Sequence, residues 1–171
     1  MKILVIQDFL RSGGTERQSL LLANAFAAAG HSTTLLTFRP GGAIAGTVAS
    51  AVERIVLQEP DVGLDWWAPR LRCAVQRVAP EIVLCMGRMA NCYGSTVQNA
   101  APTATVVTTM RTGKKLPWLF RRSLRRCDHT VANSRDARDT LVRNYGLRAE
   151  GISVIYNSLV FPPEAALARN E

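Results

Sequence analysis

Short apolar runs rich in β-branched residues recur along the chain, with segments of helical length between them. That alternation limits the fold more than any other feature, because βα repeats of this kind build a mostly parallel sheet with helices on its faces. Strands are expected at residues 2–6 (KILVI), 33–38 (TTLLTF), 54–58 (RIVLQ), 82–86 (IVLCM), 104–109 (ATVVTT), 129–132 (HTVA) and 152–156 (ISVIY). Several are apolar at consecutive positions, as strands buried on both faces must be. An α/β domain with about seven strands follows.

The helices are legible from their ends. Residues 15–29 carry Leu20, Leu21, Ala23, Ala25 and Phe26 and stop at Gly30, which suits a left-handed cap. Residues 65–78 are expected to open on Asp65 as N-cap and to end before Pro80. Residues 134–145 open on Ser134, place Asp136 and Asp139 near the positive helix end, and close at Gly146.

At 171 residues the chain suits one domain, expected over 1–160, with 161–171 and its Pro162-Pro163 pair as the start of a linker. A hydrophobic content of 47 % excludes charge-driven disorder despite a net charge of +8. The run KILVIQ meets Asp8 too soon for a signal peptide, and residues 18–38, free of Lys, Arg, Asp and Glu, are too polar at Asn24, Gly30 and His31 for a membrane span. Cys73, Cys85, Cys92 and Cys127 form no CxxC pair and lack companion histidines. Reduced thiols in a cytoplasmic protein, and no metal site, are therefore expected.

Between the first strand and first helix stands Asp8-Phe9-Leu10-Arg11-Ser12-Gly13-Gly14-Thr15-Glu16-Arg17, at the edge where open α/β sheets bind ligands. Adjacent glycines admit a ligand to the backbone, and free amides at a helix start favour an anion. The alternative is a tight turn with no ligand. The third glycine of a dinucleotide fingerprint is missing, and Arg39-Pro40-Gly41 stands where an acidic ribose partner would be, so a stand-alone NAD-type enzyme is disfavoured.

Residues 2–38 resemble the opening of retaining family 4 glycosyltransferases of the two-domain GT-B fold, which often run strand, GGxE, helix, GH, strand. Residues 132–160, ANSRDARDTLVRNYGLRAEGISVIYNSLV, resemble the end of the same family's amino-terminal domain, with its serine-capped helix, YG and final strand. The resemblance implies a Rossmann-like three-layer α/β/α domain that binds the acceptor. The carboxy-terminal domain that holds the sugar nucleotide has no counterpart in these residues, so the chain alone is expected to be inactive. Its implied partners are that second domain, a nucleotide-sugar, and a glycan or lipid-linked acceptor, with no cofactor.

By the same resemblance Gly13, Gly14, Thr15, Glu16, Asn133 and Ser134 would face the interdomain cleft. Where many relatives place a histidine near the transferred sugar, this chain has Arg111, an arginine shared with some relatives that act on lipid-linked acceptors. Guanidinium is no base at pH 7 but binds pyrophosphate oxygens bidentately. Transfer in this family is described as a front-face displacement in which the leaving diphosphate helps deprotonate the acceptor, so no protein nucleophile is needed and none is assigned. His31 and His129 read as structural. The family's YNG is Tyr156-Asn157-Ser158 here, which alters the turn at that corner.

Residues 111–126 hold Arg111, Lys114, Lys115, Arg121, Arg122, Arg125 and Arg126 with no acid. On a helix beginning near Leu116, with Pro117 in its first turn, Leu116, Leu119, Phe120, Leu124 and Cys127 share an arc of about 140° and Trp118 falls among the cations. Such a segment is either a core helix with a solvated basic face or an interfacial helix for anionic headgroups. The second reading places the protein peripherally at the inner face of the membrane. Trp66 and Trp67 cannot both enter one core; one can stack on a sugar, or lie as a lid over the core. No RNP, KH or helix-turn-helix pattern accompanies the charge, so nucleic acid is not an expected partner.

Overall fold

The computed structural model describes residues 1–111 and 115–157. In chain order the elements are β1 (Lys2–Gln7), α1 (Gly14–Ala28), β2 (Ser32–Thr37), β3 (Glu53–Val56), α2 (Leu71–Val78), β4 (Ile82–Cys85), α3 (Arg88–Cys92), α4 (Gly94–Ala100), β5 (Thr105–Met110), α5 (Trp118–Leu124), β6 (His129–Ala132), α6 (Arg135–Tyr145) and β7 (Ile152–Val154), with short 3₁₀ turns at Ala45–Thr47 and Ala149–Gly151. The strands form one sheet in the order β3-β2-β1-β4-β5-β6-β7, with every pairing parallel. This is a Rossmann-like α/β domain.

Strand alternation divides the core. Leu4 and Ile6 of β1 pack with Val83, Val106 and the apolar sides of α2 and α4, while Ile3 and Val5 meet Leu20 and Ala23 of α1 on the other face. A third cluster joins Met110, Leu116, Phe120, Leu124 and Leu141, seating α5 and α6 beside the last strands. After β1 the chain winds outward to β2 and β3, then returns to place β4 on the other flank of β1. The direction of winding therefore reverses between β1 and β4, which opens a crevice at their carboxyl ends.

All of the expected strands are present, with shifts of one or two residues at their ends. Ser134 caps α6 by accepting from the Ala137 amide at 3.0 Å, and Gly146 closes it in the left-handed conformation. Three expectations need correction. The helix expected from Asp65 begins only at Leu71, because Asp65 is held by Arg39 and Arg11 and does not cap anything. α5 begins at Trp118, with Pro117 as its capping residue. Leu119 is 40 % exposed and leaves the apolar arc, since the buried stripe is centred on Ser123, whose hydroxyl accepts from the Ser95 amide and donates to the Cys92 carbonyl. Neither α3 nor α4 was expected.

Candidate functional site

The crevice between β1 and β4 is a cavity of about 510 Å³. Its floor is a polar network built on the ends of three strands. Asp8, the first residue after β1, is buried, and its two carboxylate oxygens accept from the amides of Met89 (2.9 Å) and Ala90 (2.6 Å) at the start of α3. Asn91 then ties α3 to β5: its carbonyl oxygen accepts from the Thr109 amide at 2.8 Å while its amide group donates to the Gly87 carbonyl. The Thr109 hydroxyl donates back to the Cys85 carbonyl at 2.8 Å. Every strand end around the crevice is thus fixed before a ligand arrives.

Burial pushes the Asp8 carboxyl up to about 6, the two amide hydrogen bonds only partly offsetting the lost hydration. Arg111, at the end of β5, lines the same cavity and donates to the Asn157 side chain. Among the described residues its buried Nε has no hydrogen-bond partner and no carboxylate pairs with it, and desolvation lowers its pKa. A half-buried guanidinium with unused donors is a ready site for an anion.

The third wall is the loop between β3 and α2, which carries Trp66. Arg39 grips Asp61 through Nε and Nη2 (2.9 and 3.0 Å) and Asp65 through Nη1 (2.8 Å), and Arg11 reaches the other Asp65 oxygen at 2.5 Å. Desolvation works to raise the Asp65 pKa, but these two arginines outweigh it and hold the carboxyl below its usual range.

Among the predicted cleft residues, Thr15, Glu16 and Arg111 line the cavity, whereas Gly13, Gly14, Asn133 and Ser134 do not. The Asn133 amide extends the sheet edge by donating to the Met110 carbonyl, and Ser134 is occupied as the α6 cap. Gly13 and Gly14 stand at the start of α1, and neither has a positive φ. Asp8, Gly87, Arg88, Asn91 and Thr109 were missed. The glycine of Met86-Gly87-Arg88 straight after a strand was the one available signal. Trp66 and Trp67 are 56 % and 39 % exposed; Trp66 lines this cavity and Trp67 a separate groove beside α2.

Of the basic segment, Lys114 lies outside the described residues. Lys115, Arg121, Arg122, Arg125 and Arg126 are exposed beside Trp118, 61 % exposed, and Leu119. The Lys115 carbonyl accepts from Arg88 at 3.4 Å, which joins this surface to the rim of the cavity. All four cysteines are free, and burial raises the Cys92 and Cys127 thiols to about 11 and about 12, so neither is a thiolate at neutral pH. Among the described residues no cluster of His, Cys, Asp or Glu could hold a metal, and no helix is long and apolar enough to cross a membrane.

The sheet order and the winding reversal define a Rossmann-like α/β domain, and its fold matches that of GT-B glycosyltransferases. The chain belongs to glycosyltransferase family 4: the family model, Glycosyltransferase Family 4, matches residues 12–159. Among solved structures it is similar to Alr3699/HepE of Anabaena in complex with UDP, with a TM-score of 0.69 and 21 % identity over 93 % of this chain and 44 % of that one. It is equally similar in fold to the lipopolysaccharide outer core galactosyltransferase WaaB in its apo form, with a TM-score of 0.69 and 16 % identity over 95 % of this chain and 47 % of that one. A glycosyltransferase from Rickettsia africae aligns with a TM-score of 0.61 and 19 % identity over 90 % of this chain and 42 % of that one. The chain spans less than half the length of these neighbours. No curated protein matches it.

Proposed function

We propose that these residues form the acceptor-binding half of a retaining glycosyltransferase, with the β1/β4 crevice facing a second domain that carries the nucleotide-sugar. The observation that carries the reading is Arg111, a half-buried cation without a carboxylate partner among the described residues, at the wall of the crevice. It is placed to receive the donor diphosphate or an acceptor phosphate as charge builds on the leaving group, and such fixed donors stabilise that charge without reorganising. UDP is bound by the neighbour HepE, which supports a nucleotide-sugar as donor.

The acceptor is proposed to be lipid-linked. Trp118 and Leu119 project beside five described cations, and α5 buries Phe120 toward the cavity, so one short helix links the crevice to a surface suited to anionic headgroups. The protein would then work peripherally at the cytoplasmic face of a membrane. The test is sugar transfer from UDP- and GDP-sugars by the purified chain, alone and fused to a family 4 donor domain. Turnover is expected only in the fusion, with Arg111→Gln lowering kcat; turnover by the 171-residue chain alone would contradict the division of labour.

A further inference from the structure

One wall of the crevice carries a tryptophan that is more than half exposed while its backbone is tied down from several sides. Trp66 is 56 % exposed and lines the cavity. Its carbonyl accepts from the Tyr93 hydroxyl at 2.8 Å. The residue before it, Asp65, is shared by Arg39 and Arg11, and both guanidiniums lie against the Phe9 ring, at 4.3 and 5.0 Å from its centroid. On either side the Gln58 amide donates to the Leu64 carbonyl at 2.7 Å and the Trp67 carbonyl at 2.6 Å. A loop held this firmly does not need an exposed tryptophan for its own stability. Apolar burial cannot explain the residue either, since more than half of it remains in water.

We propose that Trp66 is the stacking platform for a neutral pyranose ring of the acceptor, a specificity-determining residue for the reaction proposed above, on which this inference rests. A pyranose offers one face of C–H groups to an aromatic ring and a rim of hydroxyls to polar groups. The cavity supplies both: Trp66 lines it together with Thr15, Glu16 and Asp8. Charge selects among ligands. Around Trp66 the Asp65 carboxylate is already shared by Arg11 and Arg39, which engages both cations, while Asp8 and Glu16 offer acceptors to sugar hydroxyls. Arg111, which no carboxylate pairs among the described residues, lies just past β5, where an anionic group of the same acceptor would go. Because the loop is ordered beforehand, binding a sugar there costs little additional conformational entropy.

The test uses the ¹⁵N-labelled chain, with the three indole N–H signals assigned through Trp66→Phe, Trp67→Phe and Trp118→Phe. Titration with methyl glucopyranoside and methyl galactopyranoside is expected to shift the Trp66 indole and the Thr15 and Glu16 amides saturably, leaving Trp118 unmoved. Trp66→Ala should weaken glycoside binding on the order of tenfold while Trp66→Phe keeps most of it, with unchanged melting temperatures. Cleft amides that still shift with unchanged affinity in Trp66→Ala would overturn the platform but leave the acceptor reading standing. No shift in the cleft with either glycoside would count against both. A Trp66 indole that answers to UMP and not to the glycosides would overturn the pyranose assignment.

Discussion

Asp8 and Gly87 meet across the crevice so closely that a Cβ on Gly87 would stand 2.4 Å from the Asp8 Oδ1. The glycine precedes α3 with φ −72 and ψ 159, so its backbone is ordinary and only the missing side chain matters. The approach is what brings the carboxylate within reach of the Met89 and Ala90 amides. Gly87→Ala must push the carboxylate off them. A loss of roughly 2–4 kcal/mol in urea denaturation is expected, and a change below 0.5 kcal/mol, about the noise of a surface substitution, would show that the contact yields freely.

The same burial gives Asp8 a pH signature. Folded, its carboxyl holds a proton up to about pH 6, against a usual value of 3.8. Between these values the folded state binds more protons than the unfolded one, so this group's contribution makes stability fall as pH rises through that window, by on the order of 3 kcal/mol in all. Asp8→Asn removes the slope. The stability of the natural chain relative to that variant should decline from pH 4 to pH 7, with the Met89 and Ala90 amide shifts titrating near pH 6. Parallel pH profiles for the two proteins would refute the assignment.

Gly14 offers the opposite case. A Cβ there would meet nothing within 4 Å, and the residue opens α1. The fold does not require a glycine, and alanine should stabilise the helix by up to about 1 kcal/mol. If the lack of a side chain serves a ligand, Gly14→Ala in the two-domain fusion will raise KM for the nucleotide-sugar severalfold while the melting temperature holds or rises. Unchanged kinetics would reduce the glycine pair to a turn.

The basic surface is tested by liposome flotation. Vesicles rich in anionic lipid should carry the protein and neutral vesicles should not, because each exposed cation near the surface contributes about 1 kcal/mol. Replacing Arg121, Arg122, Arg125 and Arg126 by Gln, or Trp118 by Ala, should each weaken partition with little effect on folding, since all five side chains are exposed. Equal partition onto both vesicle types, or salt-sensitive DNA binding without vesicle binding, would remove the membrane reading.

The sheet was legible in the sequence because strands covered on both faces must be apolar at successive positions, and Leu4, Val5 and Ile6 are each fully buried. The small helices were not. α3 has only five residues and faces the core with Asn91, whose amide stands in for backbone partners on Gly87 and Thr109, so no apolar period marks it. Asp65 looked like a cap because its rivals for that role, Arg11 and Arg39, lie 54 and 26 residues away in sequence. Arg111 was located by the family pattern, but that no carboxylate among the described residues pairs with it only emerges once the neighbouring chain segments are in place.

The central claim is that the crevice at the ends of β1, β4 and β5 receives the acceptor. Amide chemical-shift mapping of the ¹⁵N-labelled chain with farnesyl phosphate tests it most directly. The account predicts shifts concentrated at Arg88, Asn91, Thr109 and Arg111 and continuing onto Trp118 and Leu119, and their loss in Arg111→Gln. Saturable shifts confined to another face of the domain, or binding that Arg111→Gln leaves intact, would contradict it.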